Sequence, residues 1–488
     1  MAREEEILKE RIKKIEEMKK EGIFPYNYKY DVNSFCKEIR EKYSYLKEGE
    51  ETKDTYSLSG RIMNIRDLGK IVFLKLQDKT GNIQLVFQEK KTPKKSLDFL
   101  KKFLDIGDII GVKGNIFKTT RGEISVLVQE VFLLTKSVLP LPDEYYKLKD
   151  KEERYRKRYL DLILNEKSRE IFVIRAKVLE AIREFMKIKG FLEVETPLLQ
   201  PIYGGASAKP FKTHCDAFNS DVFLSIAPEI YLKKAMVGGL GSVYEITKKF
   251  RNEGVDKNHN PEHMTIEWYQ ENASYEEGMK LFEEFMLFIV KKVFGKTKIV
   301  YRGNEIDLTV WTKISLEDAI KKYLKIDISK INNDDDAKKI AREFNLDESK
   351  ITKITLPDEL MKLFRDKLIQ PTFLIDYPIE MAPLAKPKRG DPTKAEIFQP
   401  FIGGLEIGRA YSELSDPFLQ EEHFRQQEED RKKGNEEAMP TDKDFITALK
   451  YGLPPACGVG IGIERLIMLL TDTDNIREVI MFPFMKPE

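Results

Sequence analysis

The sequence predicts an α+β protein of more than one domain. A small N-terminal β-barrel precedes a larger domain whose mixed, mainly antiparallel sheet is flanked by helices. The 488 residues exceed what one hydrophobic core of ordinary size accommodates. Short glycine-punctuated strands crowd the region after residue 55, whereas the later strands cluster without regular β-α-β alternation. These two strand patterns and the length predict the fold class.

Composition restricts the kind of protein that this chain can be. It is 41% hydrophobic and 34% charged with a net charge of +1, which indicates a globular protein and points to no partner. Cys36, Cys215 and Cys457 form no CxxC pair, so neither a disulfide framework nor a structural zinc site is expected. The start is too charged for a signal peptide and no apolar run reaches membrane-spanning length, so we expect a cytoplasmic protein without a membrane partner.

Three segments are predicted before the larger domain. Residues 1–50 predict a helical extension, because Glu5 and Lys9 are paired at helical spacing. Residues 51–140 contain about five short strands separated by glycine-containing turns, which is typical of a small barrel such as a five-stranded OB-fold. Residues 141–165 are marked by prolines and predict a linker.

Residues 166–488 are predicted to form the larger domain. An apolar helical face ends at Gly190, which suits a helix C-terminus. Residues 313–370 alternate helical segments with polar breaks and predict a helical insertion. The helix before Gly190 is predicted at 170–189 and further helices at 276–293 and 418–434. Strands are predicted at 191–196, 222–271 and 372–413, and a strand leading into a helix at 458–470.

Residues 248–270, KKFRNEGVDKNHNPEHMTIEWYQ, predict a hairpin with charged side chains among apolar ones. Side chains on a strand repeat their face every second residue, so Arg251 and Glu253 share a face, as do Glu267 and Tyr269 on the return strand. Cross-strand salt bridging on a solvated sheet is the alternative interpretation. Because the charges interrupt apolar strands and the turn carries His-Asn-Pro-Glu, the pattern favours a functional site.

The stretch CGVGIGIERLIMLL, residues 457–470, predicts a glycine-rich strand that leads into a helix. Its glycines permit close approach of a backbone or ligand, and Arg465 lies in the first turn of the helix, where anions bind well. Ile463 stands where a dinucleotide fingerprint requires its third glycine. Taken alone, glycine packing beneath a core helix is as good an interpretation as phosphate binding.

Together, and in this order, these stretches resemble a known family. Three of them are similar to motifs 1, 2 and 3 of class II aminoacyl-tRNA synthetases: FLEVETPLLQP (191–201), FRNEG…HNPEH (250–263) and GVGIGIER (458–465). Four more resemble the lysyl branch of that family: GGASAKPF (204–211), IAPEIYLK (226–233), IEWYQ (266–270) and EIGRAYSELSDP (406–417). The resemblance covers nearly the whole chain, and a preceding OB barrel is similar to the family's anticodon-binding arrangement.

The resemblance implies a ligase of protein biosynthesis that uses ATP and Mg²⁺. It would convert L-lysine to lysyl-adenylate and then transfer lysine to the 3′ end of tRNA(Lys). Motif 1 implies a homodimer, although helix 170–189 could equally be ordinary core. Three alternatives remain: a relative that charges aspartate or asparagine, a lysine-transferring enzyme that modifies a protein, and a catalytically silent tRNA-binding paralogue.

The family's catalytic residues match Arg251, Arg465 and Glu406. Arg251 is implied to bridge the α-phosphate of ATP and the amino-acid carboxylate, since a guanidinium binds such anions bidentately. Arg465 would neutralise the distal phosphates, and Glu406 would hold Mg²⁺. The implied ATP-binding residues are Arg251, Glu253, His259, Asn260, His263, Glu406, Gly462 and Arg465.

Lysine recognition requires that buried carboxylates receive its ammonium groups. Glu267, Tyr269 and Glu413 match the family's side-chain pocket, while Glu229 and the backbone of Gly205 match its α-amino site. A surface carboxylate on a loop is the alternative for Glu413. The implied lysine-binding residues are Gly205, Glu229, Arg251, Glu267, Tyr269, Arg409, Tyr411 and Glu413.

In the barrel, Phe73 and Gln84 match the positions at which the family stacks and reads anticodon bases. Arg61 and Glu123 are expected nearby. Aromatic stacking combined with hydrogen bonds to base edges is the usual way of reading an unpaired loop. A place in the barrel core is the alternative for Phe73.

Three positions depart from the family's pattern. Gln399 lies where a second acidic metal ligand is usual, so one Mg²⁺ site is expected to be weaker or water-mediated. His263 replaces a phenylalanine that stacks on adenine and covers less apolar area. Arg409 replaces an asparagine and would either reinforce carboxylate binding or pair with Glu406 or Glu413.

Overall fold

The computed structural model describes residues 2–142, 150–432 and 438–487. Its backbone divides into two units, residues 1–148 and 149–488. The described elements of the first unit are α1 (Ala2–Lys20), α2 (Cys36–Lys42), β1 (Glu51–Asp67), β2 (Ile71–Asp78), β3 (Gly81–Gln88), α3 (Lys94–Phe103), β4 (Ile109–Lys118) and β5 (Ile124–Thr135).

Strands β1 to β5 close into a barrel in the order β1-β2-β3-β5-β4, which confirms the predicted five-stranded OB-fold. Alternate residues of β2, Val72, Leu74 and Leu76, are buried in the barrel core, as expected for strands with one solvated face. Helix α3, which the strand pattern does not predict, packs Leu100 and Phe103 into the same core.

The second unit contains the larger sheet. Its described helices are α4 (Lys151–Arg156), α5 (Arg158–Leu164), α6 (Glu166–Ile188), α7 (Glu229–Val237), α8 (Tyr275–Phe294), α9 (Leu316–Leu324), α10 (Asp334–Glu343), α11 (Leu356–Phe364), α12 (Pro417–Lys432), α13 (Lys443–Lys450), α14 (Ile463–Leu470) and α15 (Ile476–Val479). Its described strands are β6 (Leu192–Glu193), β7 (Leu199–Gln200), β8 (Lys212–Cys215), β9 (Ser220–Leu224), β10 (Val243–Phe250), β11 (Glu262–Glu271), β12 (Lys298–Tyr301), β13 (Asn304–Asp307), β14 (Thr312–Ser315), β15 (Thr372–Ile375), β16 (Pro387–Lys388), β17 (Asp391–Ala395), β18 (Ile397–Ile402), β19 (Leu405–Glu406), β20 (Gly408–Ser412) and β21 (Ala456–Gly462).

The large sheet has the strand order β14-β15-β18-β20-β21-β11-β10-β6, with β19 paired to β18. Only the β14–β15 and β10–β6 pairs of this described sheet are parallel. The predicted mixed, mainly antiparallel sheet is therefore confirmed. Helices α6, α8 and α14 contribute to the apolar core of this sheet, which includes Phe185, Trp268 and Phe285.

Helix boundaries follow local signals. Helix α6 is followed by Gly190 at φ +77°, a conformation that favours glycine. Helix α8 begins at a capping box, in which Ser274 and Glu277 satisfy each other's backbone donors, and ends at Gly295 at φ +68°. Both helices lie where the sequence predicts them.

Two segments differ from their predicted descriptions. Residues 312–315 form β14 and join the large sheet, so the predicted helical insertion becomes helical only at Leu316. Residues 143–149 of the predicted linker lie outside the described residues, but residues 151–164 form α4 and α5. Arg158 of α5 is buried and binds the carbonyl of Arg477, so these helices pack within the second unit.

Among the described residues, no helix is both long enough and apolar enough to cross a membrane.

Candidate active site

One cavity of about 340 Å³ lies in the second unit, bordered by β11, β20, β21 and the start of α7. It collects every residue that the sequence assigns to ATP or lysine. These residues are Gly205, Glu229, Arg251, Glu253, His259, Asn260, His263, Glu267, Tyr269, Glu406, Arg409, Tyr411, Glu413, Gly462 and Arg465. Arg251 and Arg465 therefore face the same space as Glu267 and Glu413.

Strand alternation places the polar side chains of β11 on this cavity. His263, Thr265, Glu267 and Tyr269 line it, whereas Trp268, which lies between two of them in sequence, belongs to the apolar core. Thr265 was not predicted as a site residue. Its buried hydroxyl has no hydrogen-bond partner among the described residues, which leaves it available to a ligand.

The glycines of the motif 3 strand create the room in which the acidic side chains lie. Gly458 is paired with Tyr269 across β21 and β11. A Cβ at Gly458 would lie 2.0 Å from Oε1 of Glu413 and 2.6 Å from the ring of Tyr269. At Gly205, φ is +84° and a Cβ would lie 2.8 Å from Cβ of Glu229. Both positions therefore require glycine.

Three carboxylates form the acidic part of the cavity. Glu229, Glu267 and Glu413 are 4%, 8% and 1% exposed, so Glu413 is not the surface carboxylate of the alternative interpretation. The hydroxyl of Tyr411 donates to Glu229 at 2.6 Å. Burial, together with neighbouring carboxylates, raises the pKa of Glu267 to about 8. Burial also raises the pKa of Glu413 to about 8, against the opposing charge of Lys233.

Lys233 does not line the cavity but contacts two of its carboxylates, a role that the sequence did not predict. Its ammonium forms ion pairs with Glu229, at 2.6 Å, and with Glu413, and its side chain is fully buried. The only sequence signal is the spacing of Glu229 and Lys233 on one helix, which more often marks a solvated surface pair. Nothing in that spacing predicts burial.

The basic part of the cavity contains Arg251 and Arg465. The Nε of Arg251 is buried without a partner among the described residues, and burial lowers the pKa of this guanidinium. Arg465 donates to the carbonyl of Glu406 at 3.1 Å, and its Nη2 lies 3.3 Å from Nε2 of His259. Burial, and then the charges of both arginines, lowers the pKa of His263 to about 3, so this imidazole is neutral near neutral pH.

The hairpin that presents Arg251 differs in one respect from the prediction. Strand β10 ends at Phe250, so Arg251 and Glu253 lie in the connecting loop and not on a shared strand face. The backbone N–H of Arg251 still donates to the carbonyl of Pro261 at 2.9 Å. This bond extends the antiparallel hydrogen-bond ladder of β10 and β11 by one residue beyond Phe250. Cross-strand salt bridging, the alternative interpretation, occurs instead at the exposed pair Lys248–Glu262.

The two predicted metal ligands are placed differently. Glu406 lines the cavity, whereas Gln399 does not. Gln399 is 3% exposed and its Oε1 accepts a hydrogen bond from the hydroxyl of Tyr377. The part of the chain that the structure describes contains no group of three acidic, histidine or cysteine side chains that could hold a metal. A site with one carboxylate fits Mg²⁺ that is also bound by nucleotide phosphates.

Arg409 pairs with neither of the carboxylates that the sequence analysis considered. Its Nη2 donates to the carbonyl of Met381 at 2.9 Å, and its guanidinium lies 5.9 Å from the ring centroid of Tyr377. Among the described residues, Arg409 therefore forms no ion pair with the acidic part of the cavity.

A second cleft lies on the barrel of the first unit. Phe73, Gln84 and Glu123 line it. Phe73 is half-buried and outside the barrel core, so the core alternative is wrong. Arg61 does not line the cleft and donates to the carbonyl of Gly107 at 2.7 Å. The cations of the cleft are Arg40, Arg66 and Lys75.

Comparison with known proteins gives consistent matches. The family described as class II tRNA synthetases (D, K and N) matches residues 150–486, and that of OB-fold nucleic acid binding domains matches residues 56–134. A lysine–tRNA ligase of Clostridium botulinum is 46% identical over 99% of this chain and 96% of its own length. Lysine–tRNA ligases of Fervidobacterium nodosum and Thermotoga maritima are each 44% identical, over 98% and 99% of this chain and 94% and 96% of theirs. This chain therefore belongs to the class II tRNA synthetases of the D, K and N group.

Proposed function

We propose that this protein is a lysine–tRNA ligase, which activates L-lysine with ATP and transfers it to the 3′ end of tRNA(Lys). One observation carries the choice of amino acid within the family. The cavity that contains Arg251 and Arg465 also contains three buried carboxylates. Such a pocket repels the carboxylate of an aspartate substrate. It offers carboxylate acceptors but few donors to the side-chain carbonyl of asparagine, whereas an ammonium group provides a donor to each carboxylate. The names of the full-length relatives agree with this choice.

Lysine binds through three contacts in this proposal. Its α-ammonium group is bound by Glu229 and the backbone of Gly205. Its distal ammonium group is bound by Glu267, Glu413 and the hydroxyl of Tyr269. Its carboxylate is bound by Arg251, whose unpartnered Nε leaves a donor for an anion. Arg409 lines the same cavity and adds positive charge outside the acidic part.

The first reaction is an in-line displacement at phosphorus. An oxygen of the lysine carboxylate attacks the α-phosphorus of ATP, the bond to the bridging oxygen of pyrophosphate breaks, and lysyl-adenylate forms. Arg251 contacts both reacting anions and orients them, while Arg465 stabilises the charge that develops on pyrophosphate. Asn260, Glu253, His259 and Gly462 complete the nucleotide site, and neutral His263 stacks on the adenine without adding charge.

Glu406 would hold Mg²⁺ together with the phosphates of ATP. The ion supplies charge neutralisation to the phosphates when it is bound. Arg465 lies close to this carboxylate, with Nη1 3.6 Å from Oε2 of Glu406. The protein therefore already places a positive charge beside the carboxylate that would hold Mg²⁺. Gln399 is not part of this proposal, because its amide is engaged by Tyr377.

The barrel cleft is proposed to bind the anticodon. Phe73 offers a half-buried ring for stacking, Gln84 and Glu123 offer groups for base edges, and the cations of the cleft suit phosphates. In the second reaction the 3′-terminal ribose hydroxyl of the tRNA attacks the acyl carbon of lysyl-adenylate, and AMP leaves.

A homodimer through motif 1 is also proposed. Apolar side chains along this segment are exposed, which is common at protein interfaces. They are Val173, Ile188, Leu192, Leu198, Leu199 and Ile202. We further propose a cytoplasmic enzyme that consists of an extension (1–50), an anticodon-binding domain (51–140), a linker (141–165) and a catalytic domain (166–488).

Amino-acid-dependent ATP–pyrophosphate exchange tests the proposal. Each standard amino acid is supplied separately with ATP, Mg²⁺ and labelled pyrophosphate. Exchange with lysine alone is the expected result. Exchange with aspartate or asparagine would identify a different member of the family, and no exchange with any amino acid would identify a silent paralogue. Charging of a tRNA(Lys) transcript and transfer of lysine to a protein acceptor are then compared. Charging without transfer to protein excludes the protein-modifying alternative, and transfer without charging identifies it.

A further inference from the structure

The ammonium group of Lys233 is enclosed beneath the acidic part of the cavity. It lies 2.6 Å from Oε1 of Glu229 and forms an ion pair with Oε2 of Glu413. The rings of Tyr411 and Phe445 lie on its other sides, with centroids at 5.6 and 5.8 Å. No part of the side chain is exposed.

This ammonium group is charged despite its burial. Burial favours the neutral form of a lysine, whereas two adjacent carboxylates favour the charged form. The carboxylates prevail, because their charges and hydrogen bonds raise the pKa of Lys233 above its ordinary value. Lys233 is therefore a permanent cation that cannot be exchanged with solvent ions.

Lys233 leaves part of each carboxylate available. An ionised carboxylate offers about four lone-pair sites, and Lys233 approaches one oxygen of Glu229 and one of Glu413. Oε1 of Glu413 points toward the bare backbone of Gly458. It has no hydrogen-bond partner among the described residues. The carboxylates can thus receive a ligand while they remain paired with Lys233.

The number of charges matches the proposed substrate. When all three are ionised, Glu229, Glu267 and Glu413 carry two more charges than Lys233, the cation paired with two of them. Arg251, which is also within Coulombic range of Glu267, is assigned to the lysine carboxylate. Glu245 and Lys249 are buried nearby, and Lys249 is within Coulombic range of both Glu245 and Glu267. One carboxylate and one ammonium group leave this difference unchanged when both are charged. L-Lysine carries two ammonium groups. A pocket with one cation more or fewer would not be neutralised by it.

We propose that Lys233 is a positioning residue that orients the carboxylates of Glu229 and Glu413 toward the pocket and offsets one negative charge between them. It thereby sets at two the number of substrate ammonium groups that the pocket accepts. This inference rests on the proposed function, since it concerns how the same pocket selects its amino acid. Without Lys233, mutual repulsion of the carboxylates favours protonation further, so lysine would have to displace more protons in order to bind.

Lysine-dependent ATP–pyrophosphate exchange by the full chain tests this role. Lys233→Gln retains hydrogen-bond donors without charge, and Lys233→Met removes both. Lys234→Met is the matched control, because Lys234 is on the same helix but pairs with Asp442 and Asp444 outside the cavity. Thermal unfolding of each variant is measured in parallel. If Lys233→Met does not fold, Lys233→Gln still decides the question.

For Lys233→Gln we expect the KM for lysine to rise roughly 30-fold or more, as when one partner of a buried charge pair is removed. The KM for ATP should stay within about twofold of its original value. The acidic limb of the kcat/KM profile for lysine should move to higher pH, and Lys234→Met should change neither quantity.

Two results would overturn the inference. A lower KM for lysine would mean that Lys233 competes with the substrate for the carboxylates. Equal losses for lysine and ATP, without a shift of the pH profile, would mean that Lys233 serves only the stability of the fold. Either result leaves lysine-dependent exchange by the unmodified protein intact, so it is distinguishable from failure of the proposed function.

Discussion

Glu245 of β10 lies directly opposite Glu267 of β11, and both carboxylates are buried. Like charges at such positions repel each other. Glu245 accepts hydrogen bonds from the backbone N–H and the hydroxyl of Thr196, at 3.1 and 2.7 Å. Glu267 instead faces the cavity, where burial raises its pKa. Glu267 is thus largely protonated below a pH of about 8, although it is to bind an ammonium group.

Lysine binding is therefore predicted to release protons. Glu267 and Glu413 have pKa values of about 8 in the empty site. Below that pH they are largely protonated, and a bound ammonium favours their ionised forms. Calorimetric titration with lysine in two buffers of different ionisation enthalpy should show proton release near neutral pH, decreasing above pH of about 8. Lysine binding to the Glu267→Gln variant should release fewer protons. Proton release that does not depend on pH would show that the protons do not come from Glu267 and Glu413.

Replacement of Arg251 should affect catalysis more than folding. Arg251→Ala removes the guanidinium that is proposed to contact both reacting anions, so kcat for exchange should fall about 100- to 1,000-fold. Arg251→Lys should recover little of this, since an ammonium cannot form the bidentate contact.

Lys248→Ala is the matched control for Arg251, because Lys248 is on the same hairpin in an exposed pair with Glu262. Such surface pairs contribute about 1 kcal/mol or less. Similar losses in the Arg251 and Lys248 variants would argue against a catalytic role for Arg251.

Gly458→Ala should damage lysine binding selectively. The added methyl group would lie 2.0 Å from Oε1 of Glu413, so this carboxylate and the ring of Tyr269 would have to move. The KM for lysine should rise roughly 10-fold or more, as expected when a carboxylate–ammonium contact is weakened. Gly460→Ala is the control on the same strand, since its methyl group would approach no atom closer than 3.4 Å. Equal effects of both substitutions would refute this argument.

The sequence predicted which residues share the cavity, but not how they are paired. Arg251, Glu267 and Arg465 belong to motifs whose order alone indicates one site. Lys233 could not be found in this way, because only tertiary packing places its helix beneath Glu413, which is far away in sequence. Gln399 lies outside the cavity for a similar reason. Its contact with Tyr377 depends on the tertiary packing of two neighbouring segments and leaves no signal in the sequence.

In the barrel, too, the position of one expected site residue was predicted and that of another was not. The family resemblance assigned Phe73 to base stacking, and the ring is half-buried because its neighbours Val72 and Leu74 on β2 point into the core. The position of Arg61 was not predictable in the same way. Arg61 is paired with Gln77 near the far end of β2, whereas Arg66 is paired with Phe73 itself. Arg66 lies in the cleft where Arg61 was expected.

Phe73→Ala should separate the two reactions of the enzyme. The barrel cleft is proposed to bind the anticodon and takes no part in adenylate formation, so exchange should remain within about twofold. The kcat/KM for charging of tRNA(Lys) should fall roughly 10- to 100-fold, which corresponds to the loss of one base–aromatic stack. Phe132→Ala is the control, because this partly exposed ring is on β5 and does not line the cleft. Equal losses of exchange and charging in Phe73→Ala would mean that the substitution damages the whole protein, and unchanged charging would place the anticodon elsewhere.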